Sequence, residues 1–284
     1  MPSPARSLPR FRADALAAAM LAVFAGASPA LAQQSLSATY GITLGGFAIG
    51  RADLKAQFPG DRYRVEVQLK LTGLAGMLTG GHGGATSSGI IAGLRPMPVS
   101  YAITSSNGER HRTVRMALAQ SNVEALDIKP PLPKAPDRVP LGPQHRRNVV
   151  DPVSALLMPV TQAGAAMEAR ACNRVIPVFD GVARFDVVLT YDRTARVSAK
   201  GYEGPALVCS ARYVPIAGHR DDRKSTTFMA ENRDMRVWLV PVPGTRILAP
   251  ARIEVRTMIG MSVIEADRFM PGGRDTRVRR ADRP

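Results

Sequence analysis

The chain has 284 residues, 38 lysines and arginines against 23 aspartates and glutamates, a formal charge of +15, and 45% apolar but only 5% aromatic residues. That length carries a sizeable core, as one large β domain or two smaller lobes. The low aromatic content argues against an outer-membrane barrel, which needs aromatic girdles, and no recognised nucleic-acid motif accompanies the positive charge.

Residues 1–32 read as a secretory signal peptide. Arg6, Arg10 and Arg12 precede an apolar stretch, 15–32, that closes on the small-residue site Ala30-Leu31-Ala32. Cleavage after Ala32 is expected, followed by a periplasmic β-rich domain over 33–270 and a disordered basic tail over 271–284. No cysteine follows the cut to suggest a lipid anchor, and no later stretch reaches membrane-spanning length.

From Leu36 onward apolar residues recur at two-residue spacing, punctuated by Gly, Pro, Asn and Asp, which predicts antiparallel strands. Residues 35–73 read as a three-stranded meander turning at Gly45-Gly46 and at Pro59-Gly60-Asp61. In its third strand Tyr63, Val65, Val67, Leu69 and Leu71 share one face, and Arg64, Glu66, Gln68 and Lys70 the other. Residues 73–89 form a glycine-rich segment in which Leu74, Met77 and Leu78 precede His82. As a flap over an apolar cavity these four would contact a ligand; as a short amphipathic turn they would simply pack on the core.

Strands then continue through TSSGIIAG and beyond, with Asn107-Gly108 as a hairpin turn. Residues 129–143 hold too many prolines for a helix or central strand and read as an extended connector. At DPVSALLMPV the period changes: Asp151 suits an N-cap and Pro152 the first helical position, which predicts a short helix. Strands resume at about 174–179, 183–191, 195–200, 206–216, 235–240, 246–257 and 260–270, with Asp180-Gly181 supplying a tight turn. The expected fold class is mainly β: a curled or spiral antiparallel sheet, open and barrel-like, with one or two short helices.

Cys172 and Cys209 are the two cysteines of the chain. An even pair in an exported protein predicts a disulfide, which would tie two strands or sheet layers together. A redox pair wants a two-residue spacing, a structural zinc site wants four ligands, and a nucleophilic thiol wants an adjacent base; His82, His111, His145 and His219 show no paired spacing. No motif of a hydrolase elbow, zinc protease, phosphate loop or dinucleotide fold occurs. No catalytic residue, metal site or cofactor is therefore expected, and an enzyme is the least favoured reading.

The blocks YGITLGGFAIGRADL, DPVSALLMP, CNRVIPVFDGVARFDV and CSARYVPIAGH resemble the exported bacterial proteins grouped as domain of unknown function 3108 (DUF3108), over about residues 36–270. The resemblance implies a periplasmic β-rich domain whose cysteine positions are filled by Cys172 and Cys209. Two functions are expected from different classes. The first is an envelope-homeostasis protein that accepts a lipid or other apolar ligand on a concave sheet. The alternative is an interaction module with no ligand cavity, binding an envelope protein or an anionic glycan through its arginine-rich surface. Nucleic acid is not an expected partner.

Overall fold

A computed structural model describes residues 34–73, 76, 80–108, 110–161 and 167–272. Residues 1–33, which include the expected signal peptide, and residues 273–284, which include most of the expected basic tail, lie outside them. Fourteen strands make a single antiparallel sheet. In the first half they are β1 (Gln34–Leu44), β2 (Phe47–Phe58), β3 (Arg62–Leu71), β4 (His82–Ala92), β5 (Arg95–Asn107), β6 (Arg110–Ala119) and β7 (Asn122–Lys129). The second half has β8 (Met158–Pro159), β9 (Arg174–Phe179), β10 (Arg184–Ala199), β11 (Tyr202–Ala217), β12 (Met235–Val242), β13 (Ile247–Thr257) and β14 (Gly260–Pro271).

Each half is a meander, and the two are joined where β1 pairs with β14. The spatial order is therefore β7 through β1, then β14 down to β9, with β8 paired to β13 off this path. β7 and β9 are the free edges, and the sheet does not close on itself. The connector between them passes through the seam. Val149 N–H donates to the Ser121 carbonyl, beside β7, while Val150 N–H donates to Pro177 O and Phe179 N–H to Val150 O, on β9. At the same seam a side chain at Gly181, beyond β9, would collide with Val114 of β6. The connector's two valines thus reach both the start of β7 and the β9 edge, and Val150 satisfies groups of β9 that would otherwise template foreign strands.

The two-residue period explains the curl's interior. In β2, Gly50, Ala52, Leu54, Ala56 and Phe58 are buried while Arg51, Asp53, Lys55 and Gln57 are exposed. Inward side chains from both halves, among them Leu36, Tyr40, Leu54, Tyr63, Val65, Met116, Val208, Val240 and Phe269, merge into one core with Val149, Val153 and Leu157 of the connector. Burying each large apolar side chain contributes about 1.5–3 kcal/mol. A second cluster gathers Met158, Val160, Ala171 and Cys172 with Leu189, Leu207, Leu239 and Leu248.

The structure departs from the sequence reading in four places. Residues 183–191 and 195–200 are one strand, β10, because Asp192 sits at a register shift instead of a turn. His82, Gly83 and Gly84 belong to β4, not to a loop. The expected helix at residues 151–160 is a single 3-10 turn, Ser154–Leu156, after which Met158 and Pro159 pair with β13. A helix that the sequence reading placed nowhere, α1 (Lys224–Glu231), links β11 to β12.

Candidate functional site

The outward residues of β2 to β6 line up across the strands. Arg51 stands opposite Lys70, Lys70 opposite His82, His82 opposite Ser106, and Ser106 opposite His111. This rank holds no acid. The next rank, Asp53, Gln68, Gly84, Thr104 and Thr113, is polar and small at its centre. A third, Lys55, Glu66, Thr86, Ala102 and Arg115, is mixed in charge.

Small residues at the centre of these ranks make a trough of about 380 Å³ on the outer face. Its floor is Gly83, Gly84, Ala102 and Thr104, and its walls carry Gln68, Thr86, His82, Ser106 and His111. Gln68 lies across Gly84, since a Cβ there would fall 2.6 Å from its Oε1. Its Nε2 donates to Glu66 Oε1 at 3.0 Å, and a ring nitrogen of His82 lies 3.0 Å from Gly80 O. Arg51, Lys70 and Arg115, around this trough, have no ion-pair partner among the described residues. Hydroxyl, amide, imidazole and cationic groups therefore converge on an open polar surface.

The interior holds a different polar constellation. Asp151 is fully buried, and its Oδ1 accepts from the Val153 and Ser154 amides at 2.9 Å each. Its Oδ2 accepts from the hydroxyls of Ser87, at 2.8 Å, and Ser154. Ser154 Oγ in turn lies 2.7 Å from Tyr63 Oη. Burial pushes the Asp151 carboxyl and the Tyr63 hydroxyl above their ordinary values; the hydrogen bonds on Asp151 oppose that rise without cancelling it. Every polar atom of this cluster is engaged within the protein. It pins the connector to β3 and β4, and nothing about it reaches solvent.

Of the residues singled out from the sequence, Cys172 and Cys209 form a disulfide with Cα atoms 5.4 Å apart. Both are buried in the second cluster, so the bond fastens residues 169–172 to β11. His82 stands on the outer face at the head of the trough. Leu74, Met77 and Leu78 lie outside the described residues. Sequence reasoning missed Gln68, Thr86, Thr104, Ser106 and His111. Their signal was register: Gln68, Thr86, Thr104 and His111 are exposed and Ser106 is buried beside them, and strand pairing is what brings the five together. Among the described residues, no group of three or more histidines, cysteines or acids is placed to hold a metal ion, and no helix is long and apolar enough to cross a membrane.

The family model described as protein of unknown function DUF3108 matches residues 38–267, and the chain belongs to that family. No curated protein matches the chain. A crystal structure described as a beta-barrel-like protein of domain of unknown function DUF1849 from Brucella abortus is similar over 86% of this chain and 99% of its own, with 9% identity and a TM-score of 0.49.

Proposed function

We propose that this DUF3108 protein is an exported protein of the cell envelope that works as an interaction module, binding an acidic glycan along the outer trough of β3 to β6. The observation that carries the proposal is the rank Arg51-Lys70-His82-Ser106-His111 beside a floor of small residues. Unpaired cations at one end suit a carboxylate or phosphate substituent, while Gln68, Thr86 and Thr104 suit sugar hydroxyls. The Cys172–Cys209 bond is compatible with an oxidising compartment, and the basic, apolar, small-residue order of residues 1–32 supports a periplasmic address.

Of the two functions expected from the sequence, the geometry favours the module. The concave side of the sheet is occupied by its own side chains, from Leu36 on β1 to Phe269 on β14, and by the connector's Val149, Val153 and Leu157. The test is titration of the purified chain from Gln33 to Pro284 with oligogalacturonate and, as a neutral control, dextran. Saturable binding of the acidic glycan is expected, abolished by Thr104→Tyr, which fills the trough from an exposed position. Equal affinity for both glycans, or binding untouched by Thr104→Tyr, would refute the reading. Co-purification of an acyl lipid would instead favour the concave-sheet function.

A further inference from the structure

A separate feature lies at the end of the sheet where the first and last hairpins turn. The β1–β2 turn presents Phe47, 78% exposed, and the β13–β14 turn presents Met258 and Ile259, 56% and 77% exposed. These turns are neighbours because β1 pairs with β14, and they are fastened: Gly45 N–H donates to Met261 O at 2.9 Å. They also touch so closely that a Cβ on Gly260 would lie 3.3 Å from Gly45 Cα. Gly45, Gly46 and Gly260 all have positive φ, so both turns are tight and project their apolar side chains from a fixed backbone.

We infer that this double tip is a membrane-docking wedge, which inserts Phe47, Met258 and Ile259 between the lipids of an anionic bilayer. Three large exposed apolar groups on two adjoining turns at the end of the sheet suit insertion into a headgroup layer. The charge behind them fits the same occupant. Arg51 follows Phe47 by four positions on β2, about 13 Å back at strand rise, and stands opposite Lys70; across β1 the same rank runs through Gly41 to Glu265 of β14, whose charge is matched by Arg252 at 2.7 Å. Cations set back from an apolar tip meet phosphate groups when the tip is inserted. Phe47, Met258 and Ile259 do not line the trough; Arg51 and Lys70 serve both readings, but the inference rests on the three apolar side chains and not on glycan binding.

The test is co-sedimentation of the purified chain from Gln33 to Pro284 with vesicles of phosphatidylglycerol and phosphatidylethanolamine. Binding is expected, with affinity reduced roughly tenfold or more in the double variant F47D/I259D and reduced on phosphatidylcholine vesicles. Both side chains are exposed, and thermal unfolding of the variant should match that of the parent. F47D/I259D is expected to retain oligogalacturonate binding, and Thr104→Tyr to retain vesicle binding, so the two proposals fail separately. Absence of vesicle binding, or binding equal in parent and F47D/I259D, overturns the inference. So does a dimer in sedimentation velocity that F47D/I259D dissolves without any effect on vesicles, because the tip would then be a contact between two copies of this chain.

Discussion

Tyr63 Oη and Ser154 Oγ lie 2.7 Å apart inside the curled sheet, 91 residues apart in the chain. Through this contact β3 holds the 3-10 turn that follows Asp151, and Asp151 holds the same turn from below through the Val153 and Ser154 amides. The apolar plug formed by Val149, Val153 and Leu157 is therefore seated by polar groups, which specify one position where apolar packing alone would allow several.

Removal of the Asp151 carboxylate should consequently unseat the connector. Asp151→Ala strips acceptors from two amides and two buried hydroxyls and is expected to cost about 3 kcal/mol or more in urea unfolding. Asp151→Asn keeps one oxygen for the amides and lets the two hydroxyls turn to accept, so it should cost distinctly less.

The same carboxyl makes stability depend on pH with a defined sign. Its ordinary value is 3.8 and burial raises it, so the folded chain holds this proton more tightly than the unfolded chain. Its contribution is then fully present below that ordinary value and is lost as pH rises through the raised one. The slope is at most about 1.4 kcal/mol per pH unit. Asp151→Asn should flatten the profile of unfolding free energy against pH over that window. Asp180, raised by burial in the same direction, leaves a residual slope of the same sign in the variant.

Gly89 is the position at which β4 makes room for Tyr63. A Cβ there would collide first with the Met97 carbonyl oxygen, and would fall 2.7 Å from Tyr63 Oη and 2.8 Å from Pro98 Cα. The hydroxyl cannot retreat without releasing Ser154, and Pro98 is backbone. Gly89→Ala is expected to lower stability by about 1–3 kcal/mol, and its effect should be smaller in a Tyr63→Phe background, measured as a double-mutant cycle.

Alternation alone made the meander of β1 to β3 legible: Tyr63, Val65 and Val67 on one side and Arg64, Glu66 and Gln68 on the other predict which face is wet. It also foretold a mainly β, open antiparallel sheet. What it does not encode is order in space. That β1 pairs with β14, which brings the turn before Phe47 against the turn that carries Ile259, depends on the closure of the whole chain and on no local signal. DPVSALLMPV misled for a physical reason: Asp151 does cap two amides, but Met158 is drawn into pairing with β13, which ends the helix after one turn. The trough was hidden for a related reason, since Gln68, Thr86, Thr104 and His111 are four ordinary outward residues until register sets them side by side.

Gly84→Ala separates binding from stability in that trough. The added methyl's nearest neighbours are the atoms at the flexible end of Gln68, so that side chain swings away while the strand is preserved. Stability is expected to change by less than about 1 kcal/mol, because alanine suits a strand interior better than glycine. Oligogalacturonate affinity should fall severalfold, as Gln68 no longer lies across the floor, and calorimetric titration beside thermal unfolding would register both effects.

Cys172 and Cys209 enclose a separation of 37 residues that includes β9, β10 and the first half of β11. Cross-linking a loop of that size reduces the freedom of the unfolded chain and is worth about 4 kcal/mol before any strain. The sulfurs also lie in the second apolar cluster, beside Leu189, Leu207 and Leu239, so a pair of serines would leave hydroxyls in an apolar site. Cys172→Ala with Cys209→Ala should therefore be the milder double variant, losing about 4 kcal/mol from the cross-link with little polar penalty, and the double serine variant should lose more. A reductant added to the parent should reproduce most of the double alanine effect. Because the outer trough and the double tip lie on β1 to β6 and β13 to β14, neither oligogalacturonate nor vesicle binding should change at temperatures where the reduced protein remains folded.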